Sequence, residues 1–434
     1  MGYLLREPEG SIWYDESEDE FKCANLDVTV SKDHLLEKAK GMPVLFWVHG
    51  GSQIISYGNG ASKVGDVYKI VRDSIGYEKP IIVVSVQYRL NMFHFGDGKS
   101  NKNLGLKDLQ CAMEWVREHI AGFGGDPNNI TLAGESAGAN LAHAMIVAGA
   151  QAKRAILMSG SLYMSPPQPE ARAQAAIIEP IMQRLKRRGY WEMKTAPVAE
   201  LLEVQTDIPI KSVFLQAEHQ LSEWFIKTGK IQELIIGDCE FESALFRNGM
   251  EDAGSRHILD SFDRAGGSAS ALKSLYHIID GRPNSIRYGA LDFLNDMLWA
   301  MPTWKIAERF RNEGKKVFTY LMDQPNPWQA SARAHHAVDL IFLFGGFDLS
   351  HNPSALKMSE DLRRRFIEFV NGDEPWDRSL TCAFGPHGQV QEINKDGVRA
   401  RRRMSHISEL KKMPPGDLGA AFAGLAQGRI SLHN

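Results

Sequence analysis

The sequence predicts an α/β fold built on a mostly parallel sheet with helices on both faces, and three observations carry that prediction. Runs such as Pro43-Val44-Leu45-Phe46-Trp47-Val48 and Ile81-Ile82-Val83-Val84-Ser85-Val86 are apolar without alternation, as strands buried on both faces are. Helical patterns lie between such runs: Leu106, Leu109, Met113 and Val116 recur at helical spacing across 104–121. Residues 130–142 then pass from a β-like run through a turn of small residues, Gly134-Glu135-Ser136-Ala137-Gly138, into an Ala-rich helical stretch. Alternating strand and helix is the rhythm of a parallel sheet with crossover helices.

The elements follow in chain order. Residues 1–21 are polar, include the acidic run Asp15-Glu16-Ser17-Glu18-Asp19-Glu20, and are expected as an irregular leader ahead of a main domain spanning 22–380. A strand is expected over 24–30, a loop or short helix over 32–41, a helix over 64–75 and strands over 81–90 and 154–161. The charged helical stretch 166–209 suits a cover over the site, so insertions are expected over 161–232 and 250–312, with strands at 232–237 and 317–321. Beyond Trp376 the periodicity fades, and 381–434 is expected as a polar tail. Its basic stretch, Arg399 to Arg403 with Lys411 and Lys412, reads as a solvated surface rather than as a signal for nucleus or anionic partners.

Composition narrows the function classes. The 434 residues carry a net charge of −3, which implies neither nucleic acid nor a membrane surface as partner. No run of about 18 apolar residues is present. The opening residues form too short an apolar stretch for a secretory signal. Cys23, Cys111, Cys239 and Cys382 are scattered without a C-x-x-C pair, which argues against zinc and for free thiols. A cytoplasmic protein with no metal or cofactor is expected.

The pattern G-x-S-x-G carries the chemistry. Serine at the tip of a sharp strand-to-helix turn is presented rather than packed, and the glycines on either side let the two backbones approach. The helix that begins after Ser136 aims unpaired N–H groups and a positive dipole end at the hydroxyl, and the Ala137 amide is a natural first donor to an oxyanion. A structural reading competes, because small residues also serve a tight turn.

Several blocks tilt that balance. Asn103-Leu104-Gly105-Leu106-Lys107-Asp108-Leu109-Gln110, Phe123-Gly124-Gly125-Asp126-Pro127 and the serine block stand in register with Tyr88-Arg89-Leu90 and Arg154-Ala155-Ile156-Leu157-Met158-Ser159-Gly160-Ser161. From about Cys23 to Trp376 this arrangement resembles the type B carboxylesterase and cholinesterase family, which implies the α/β-hydrolase fold. The resemblance implies a Ser-acid-His order along the chain. Gly237-Asp238-Cys239-Glu240-Phe241-Glu242 matches the family's G-x-x-x-x-E, giving Glu242 as the acid, with Glu240 as the alternative if the register slips. His336-Ala337-Val338-Asp339-Leu340-Ile341-Phe342-Leu343-Phe344-Gly345 matches the histidine block, making His336 the base, Asp339 a structural residue and His335 a loop bystander.

Supporting positions are implied in the same way. Ser159 matches a family serine near the acid and the histidine, and Glu135 flanks the nucleophile. The family's oxyanion loop is H-G-G-G-F, whereas this chain has His49-Gly50-Gly51-Ser52-Gln53, so Gly51 and Ser52 are expected to donate their amides with Ala137. Serine brings a Cβ that disfavours positive φ, and Gln53 replaces an aromatic wall with a polar group. His49 is expected to brace the loop. Family members carry several dozen further residues before the first strand, including a partner for the cysteine that Cys23 resembles. Without them Cys23 has no mate, and a bare sheet edge is open to cover by the leader or by a second subunit, as in a homodimer.

The resulting expectation is a serine carboxylic ester hydrolase acting on a small organic ester through an acyl-enzyme. The alternatives are a relative that performs lactonisation, acyl transfer or elimination on a natural-product intermediate, and a non-catalytic binding protein of the same family.

Overall fold

The computed structural model describes residues 24–36, 40–56, 62–97, 101–208, 214–426 and 430; the leader and Cys23 lie outside them. Among the described residues nine strands form one sheet: β1 (Leu26–Thr29), β2 (Met42–Val48), β3 (Ile82–Val86), β4 (Gly125–Glu135), β5 (Arg154–Met158), β6 (Glu233–Cys239), β7 (Lys316–Met322), β8 (Thr381–Phe384) and β9 (Val390–Ile393). Their order is β1-β3-β2-β4-β5-β6-β7-β8-β9. Pairing is parallel from β3 through β8 and antiparallel only at the two edges. This is the α/β-hydrolase architecture the sequence predicts.

Unbroken apolar strands are needed because both faces are covered. Leu45, Trp47, Val83, Ile156 and Phe318 meet the helices Tyr68–Gly76, Val338–Phe344 and Pro353–Asn371 on one side. Val44, Phe46, Val84, Leu132 and Leu157 meet the helices Leu104–His119, Ala137–Val147 and Met301–Asn312 on the other. Each buried side chain of this size contributes roughly 1.5–3 kcal/mol of transfer free energy, so the two layers dominate the stability.

Two satellite cores sit beside the sheet. Helices between Glu170 and Thr206 pack on Met92 and Phe95. Helices Arg247–Asp263 and Pro283–Asn295 share a core with the C-terminal helix Pro415–Ala426. The helix Met301–Asn312, expected within the second insertion, belongs to the sheet layer instead, because Ile306, Ala307 and Phe310 face the core there.

The expected tail at 381–434 is corrected by the structure. Thr381–Phe384 is fully buried as β8 against β7, β9 closes the edge, and two further helices lead to the C-terminal one. Four residues are too few to show a period, and their burial comes from pairing rather than from their own pattern. Within it, Arg402 is buried and held by Asp238 and Asp323, so the basic stretch is partly interior.

Candidate active site

Ser136 stands at the end of β4 with φ 56° and ψ −121°, a conformation that costs on the order of 1–3 kcal/mol for a residue with a Cβ. The surroundings hold it there. Its N–H donates to the Met158 carbonyl at 2.9 Å and its own carbonyl accepts from Asn140 at 2.9 Å. A Cβ on Gly134 would lie 2.5 Å from the Gly138 backbone, and one on Gly138 would lie 2.1 Å from the Val48 carbonyl oxygen. The two glycines therefore bring the serine strand, its helix and the end of β2 into contact that no larger residue permits. Gly160 meets the same turn from β5's end, where a Cβ would sit 2.2 Å from the Ser136 carbonyl oxygen.

The acid and the histidine arrive from the next strands along. β6 ends at Cys239, the chain turns, and the Glu242 carboxylate folds back so that Oε1 accepts from the Cys239 N–H at 2.7 Å. After β7 a loop returns to that turn, with Phe241 N–H donating to the Ala334 carbonyl at 2.9 Å. His336 follows, just before a helix that starts at Val338. Its Nδ1 lies 2.5 Å from Glu242 Oε2, and its Nε2 lies 2.7 Å from Ser136 Oγ. In the neutral imidazole, with Nδ1 donating to the carboxylate, Nε2 is left as the acceptor for the serine hydroxyl. Ser136, Glu242 and His336, two hundred residues apart at the extremes, meet at the same end of the parallel strands.

The alternative acid is elsewhere. Glu240 is partly exposed and accepts from Arg333, at 2.6 Å from Nη2.

Electrostatics sharpen the arrangement. Burial lowers the His336 pKa, but the carboxylates of Glu135 and Glu242 outweigh it and raise the value to about 9. Glu135 Oε1 is 3.3 Å from His336 Nε2, so this residue touches the imidazole from the serine side. Asp339 is pushed up to about 7 by burial and by the Glu242 charge, and it accepts from the Tyr320 hydroxyl at 3.0 Å. Ser159, also at positive φ, supports the acid's turn from behind: its Oγ is 3.6 Å from Cys239 Sγ, next to the amide that Glu242 accepts from.

The loop after β2 lies beside the nucleophile's helix. His49 packs against Tyr88 with ring centroids 4.5 Å apart, and the Tyr88 hydroxyl donates to the His49 carbonyl at 2.7 Å. Burial lowers the His49 pKa to about 4, so it is neutral. Gly51 has φ 101°, and a Cβ there would meet the Ile55 carbonyl oxygen at 2.3 Å. Ser52 and Gln53 also adopt positive φ, 56° and 60°, despite their side chains. Gln53 is buried, its Oε1 has no partner among the described residues, and its carbonyl accepts from the Asn91 amide at 2.6 Å.

His335 is buried rather than a surface bystander. Its Nδ1–H donates to the His336 carbonyl at 2.8 Å and its Nε2 accepts from Asn326 at 2.9 Å. Asn326 in turn accepts from the Trp328 and Gln329 amides, so one side chain straps the histidine loop. Trp299 was likewise not legible: its ring lies 5.5 Å from the His336 ring, and its indole N–H donates to the Ser159 carbonyl at 2.9 Å. No local signal separates this cover tryptophan from the other eight in the chain.

Among the described residues no group of three or more His, Cys, Asp or Glu could hold a metal ion, and no helix is long and apolar enough to cross a membrane. A hydroxyl, an imidazole, a buried carboxylate and nearby backbone amides together suit acyl transfer.

A model of the Carboxylesterase family matches residues 6–405. The chain belongs to that family. This carboxylesterase is 28% identical to Lipase 3 of Yarrowia lipolytica (strain CLIB 122 / E 150), over 95% of this chain and 83% of that one. It is 27% identical to the para-nitrobenzyl esterase of Bacillus subtilis (strain 168), over 75% of this chain and 68% of that one. Among solved structures, the Geobacillus stearothermophilus carboxylesterase EST55 superposes with a TM-score of 0.67 at 23% identity, covering 84% of this chain and 82% of that one. The family makes the carboxylesterase an ester hydrolase and bears out the resemblance read from the motifs.

Proposed function

We propose that this carboxylesterase works through an acyl-enzyme on a small organic ester, with Ser136 as nucleophile. His336 takes the hydroxyl proton as Ser136 Oγ attacks the ester carbonyl, and then gives that proton to the leaving alcohol. Water repeats the cycle with the same base and releases the acid. Glu242 holds the imidazole in the tautomer that leaves Nε2 as acceptor. The amides of Gly51, Ser52 and Ala137 receive the negative charge on the carbonyl oxygen. The observation that carries this reading is the single imidazole within hydrogen-bond distance of both the strained serine, at 2.7 Å, and a buried carboxylate, at 2.5 Å.

The small size of the substrate is inferred from the cover, where Trp299 crowds the imidazole, and Gln53, standing where the family resemblance puts an aromatic wall, favours a polar acyl or leaving group. A fluorophosphonate probe tests the mechanism. Wild-type protein is expected to label on Ser136 and to hydrolyse p-nitrophenyl butyrate, and Ser136→Ala to do neither. Unlabelled, inactive wild-type protein refutes the reading.

A further inference from the structure

We infer that Arg402 is a positioning residue for this site: its guanidinium cross-links the ends of β6 and β7, the two strands that deliver Glu242 and His336. The inference rests on the acyl-enzyme reading above. Arg402 Nε donates to Asp238 Oδ1 at 2.8 Å, and Nη2 donates to the Asp238 carbonyl at 3.2 Å. Nη1 of the same group donates to Asp323 Oδ1 at 2.8 Å. Asp238 is the penultimate residue of β6, and Asp323 directly follows β7.

Few residues separate these anchors from the chemistry. Glu242 lies four positions after Asp238, and its carboxylate is held by the Cys239 amide next to Asp238. The loop from Asp323 to His336 is secured to the same turn through Phe241 and Ala334. A planar fork fixed to both strand ends thus sets how far apart the acid and base loops begin, which a point charge on a flexible stem sets less well.

The neighbours extend the same device. Arg401 donates to Asp323 Oδ2 at 2.8 Å and to the Gly385 carbonyl at 2.9 Å. Arg403 grips Asp296 at 2.9 Å through both Nε and Nη2, one helical turn before Trp299. Three consecutive arginines therefore tie the acid strand, the base strand and the cover to one point. Arg402 also neutralises two carboxylates that are buried with it, and Asp238 feels the charge of Glu242. Removing the guanidinium alone would leave uncompensated charge inside the protein, so the test removes the two carboxylates together with it.

The experiment compares wild type, Arg402→Lys and the triple variant Arg402→Gln/Asp238→Asn/Asp323→Asn, well below their melting temperatures. Each rate is expressed per site titrated by a fluorophosphonate, which removes any contribution from unfolded protein. For p-nitrophenyl butyrate, the triple variant is expected to lose about 30-fold in kcat with KM within twofold, and the phosphonylation rate is expected to fall in parallel. Arg402→Lys keeps the charge without the fork and is expected to fall between, at about fivefold. Rates within twofold of wild type in the folded triple variant overturn the inference; if that variant does not fold, an Arg402→Lys enzyme with wild-type kcat overturns it. Wild-type protein that the probe does not label instead sinks the acyl-enzyme reading, which is a separate outcome.

Discussion

Replacing Glu242 by glutamine is expected to abolish most turnover while Glu240→Gln leaves it nearly intact. In the native site Glu242 Oε1 accepts from the Cys239 amide at 2.7 Å and Oε2 faces His336 Nδ1 at 2.5 Å. Glutamine has the same shape, and the fixed Cys239 donor keeps its carbonyl oxygen in place. Its NH₂ then confronts Nδ1–H. Two donors cannot share that contact, so the imidazole moves its proton to Nε2, the atom that must accept from Ser136. The expected loss in kcat is about 10³–10⁴-fold, equivalent to roughly 4–5.5 kcal/mol of transition-state stabilisation. Glu240 carries only a partly exposed pair with Arg333, worth about 0–1 kcal/mol of stability, and touches no reacting group. Steady-state hydrolysis of p-nitrophenyl butyrate, with circular dichroism to check folding, reads both variants. A Glu242→Gln enzyme with a tenth or more of wild-type kcat, or a folded but inactive Glu240→Gln enzyme, refutes the assignment.

Three further outcomes follow from the same geometry. Because Glu135 and Glu242 hold the His336 pKa up to about 9, kcat/KM is expected to climb with pH on the alkaline side of neutrality; Glu135→Gln removes one of these charges and moves that limb down by about one unit, whereas an unmoved limb excludes Glu135 as the cause. Ser52 adopts φ 56°, so Ser52→Gly is expected to raise stability by about 0.5 kcal/mol, the released strain exceeding the extra flexibility of the unfolded chain; a lower melting temperature contradicts this. Finally, His49, His94, His143 and His335 are buried with values lowered to about 4, while Asp238 and Asp339 are raised to about 6 and 7. Unfolding takes up protons on the histidines and releases them from the carboxyls, a net uptake averaging about one and a half protons between pH 6 and pH 4. Stability should therefore fall by roughly 2 kcal/mol per pH unit as pH drops from 6 to 4, measurable by urea unfolding at fixed pH values; a flat profile disproves it.

Legibility in the sequence followed the range of the interactions. β2, β3 and β4 were readable because a strand buried on both faces must be apolar throughout, and the serine turn because only small residues fit where Gly138 touches the β2 end. The acid and the histidine were reachable only through a family register, since nothing local distinguishes Glu242 from Glu240; what separates them is which one meets the Cys239 amide and the imidazole. β8 escaped notice because its four residues owe their burial to β7. His335 looked like a bystander because its partners are a backbone carbonyl and a distant asparagine. Arg401, Arg402 and Arg403 looked solvated because their acids lie some eighty to one hundred and sixty residues upstream. A charge run reveals its neighbours only after the chain is folded.

Gly160 has no reactive atom and would be passed over in any inventory of functional groups. Yet the Ser136 carbonyl occupies the very volume that its smallest side chain would need. In a saturation-mutagenesis map this position would darken almost as deeply as the serine itself, and engineers widening the pocket would do well to begin anywhere else.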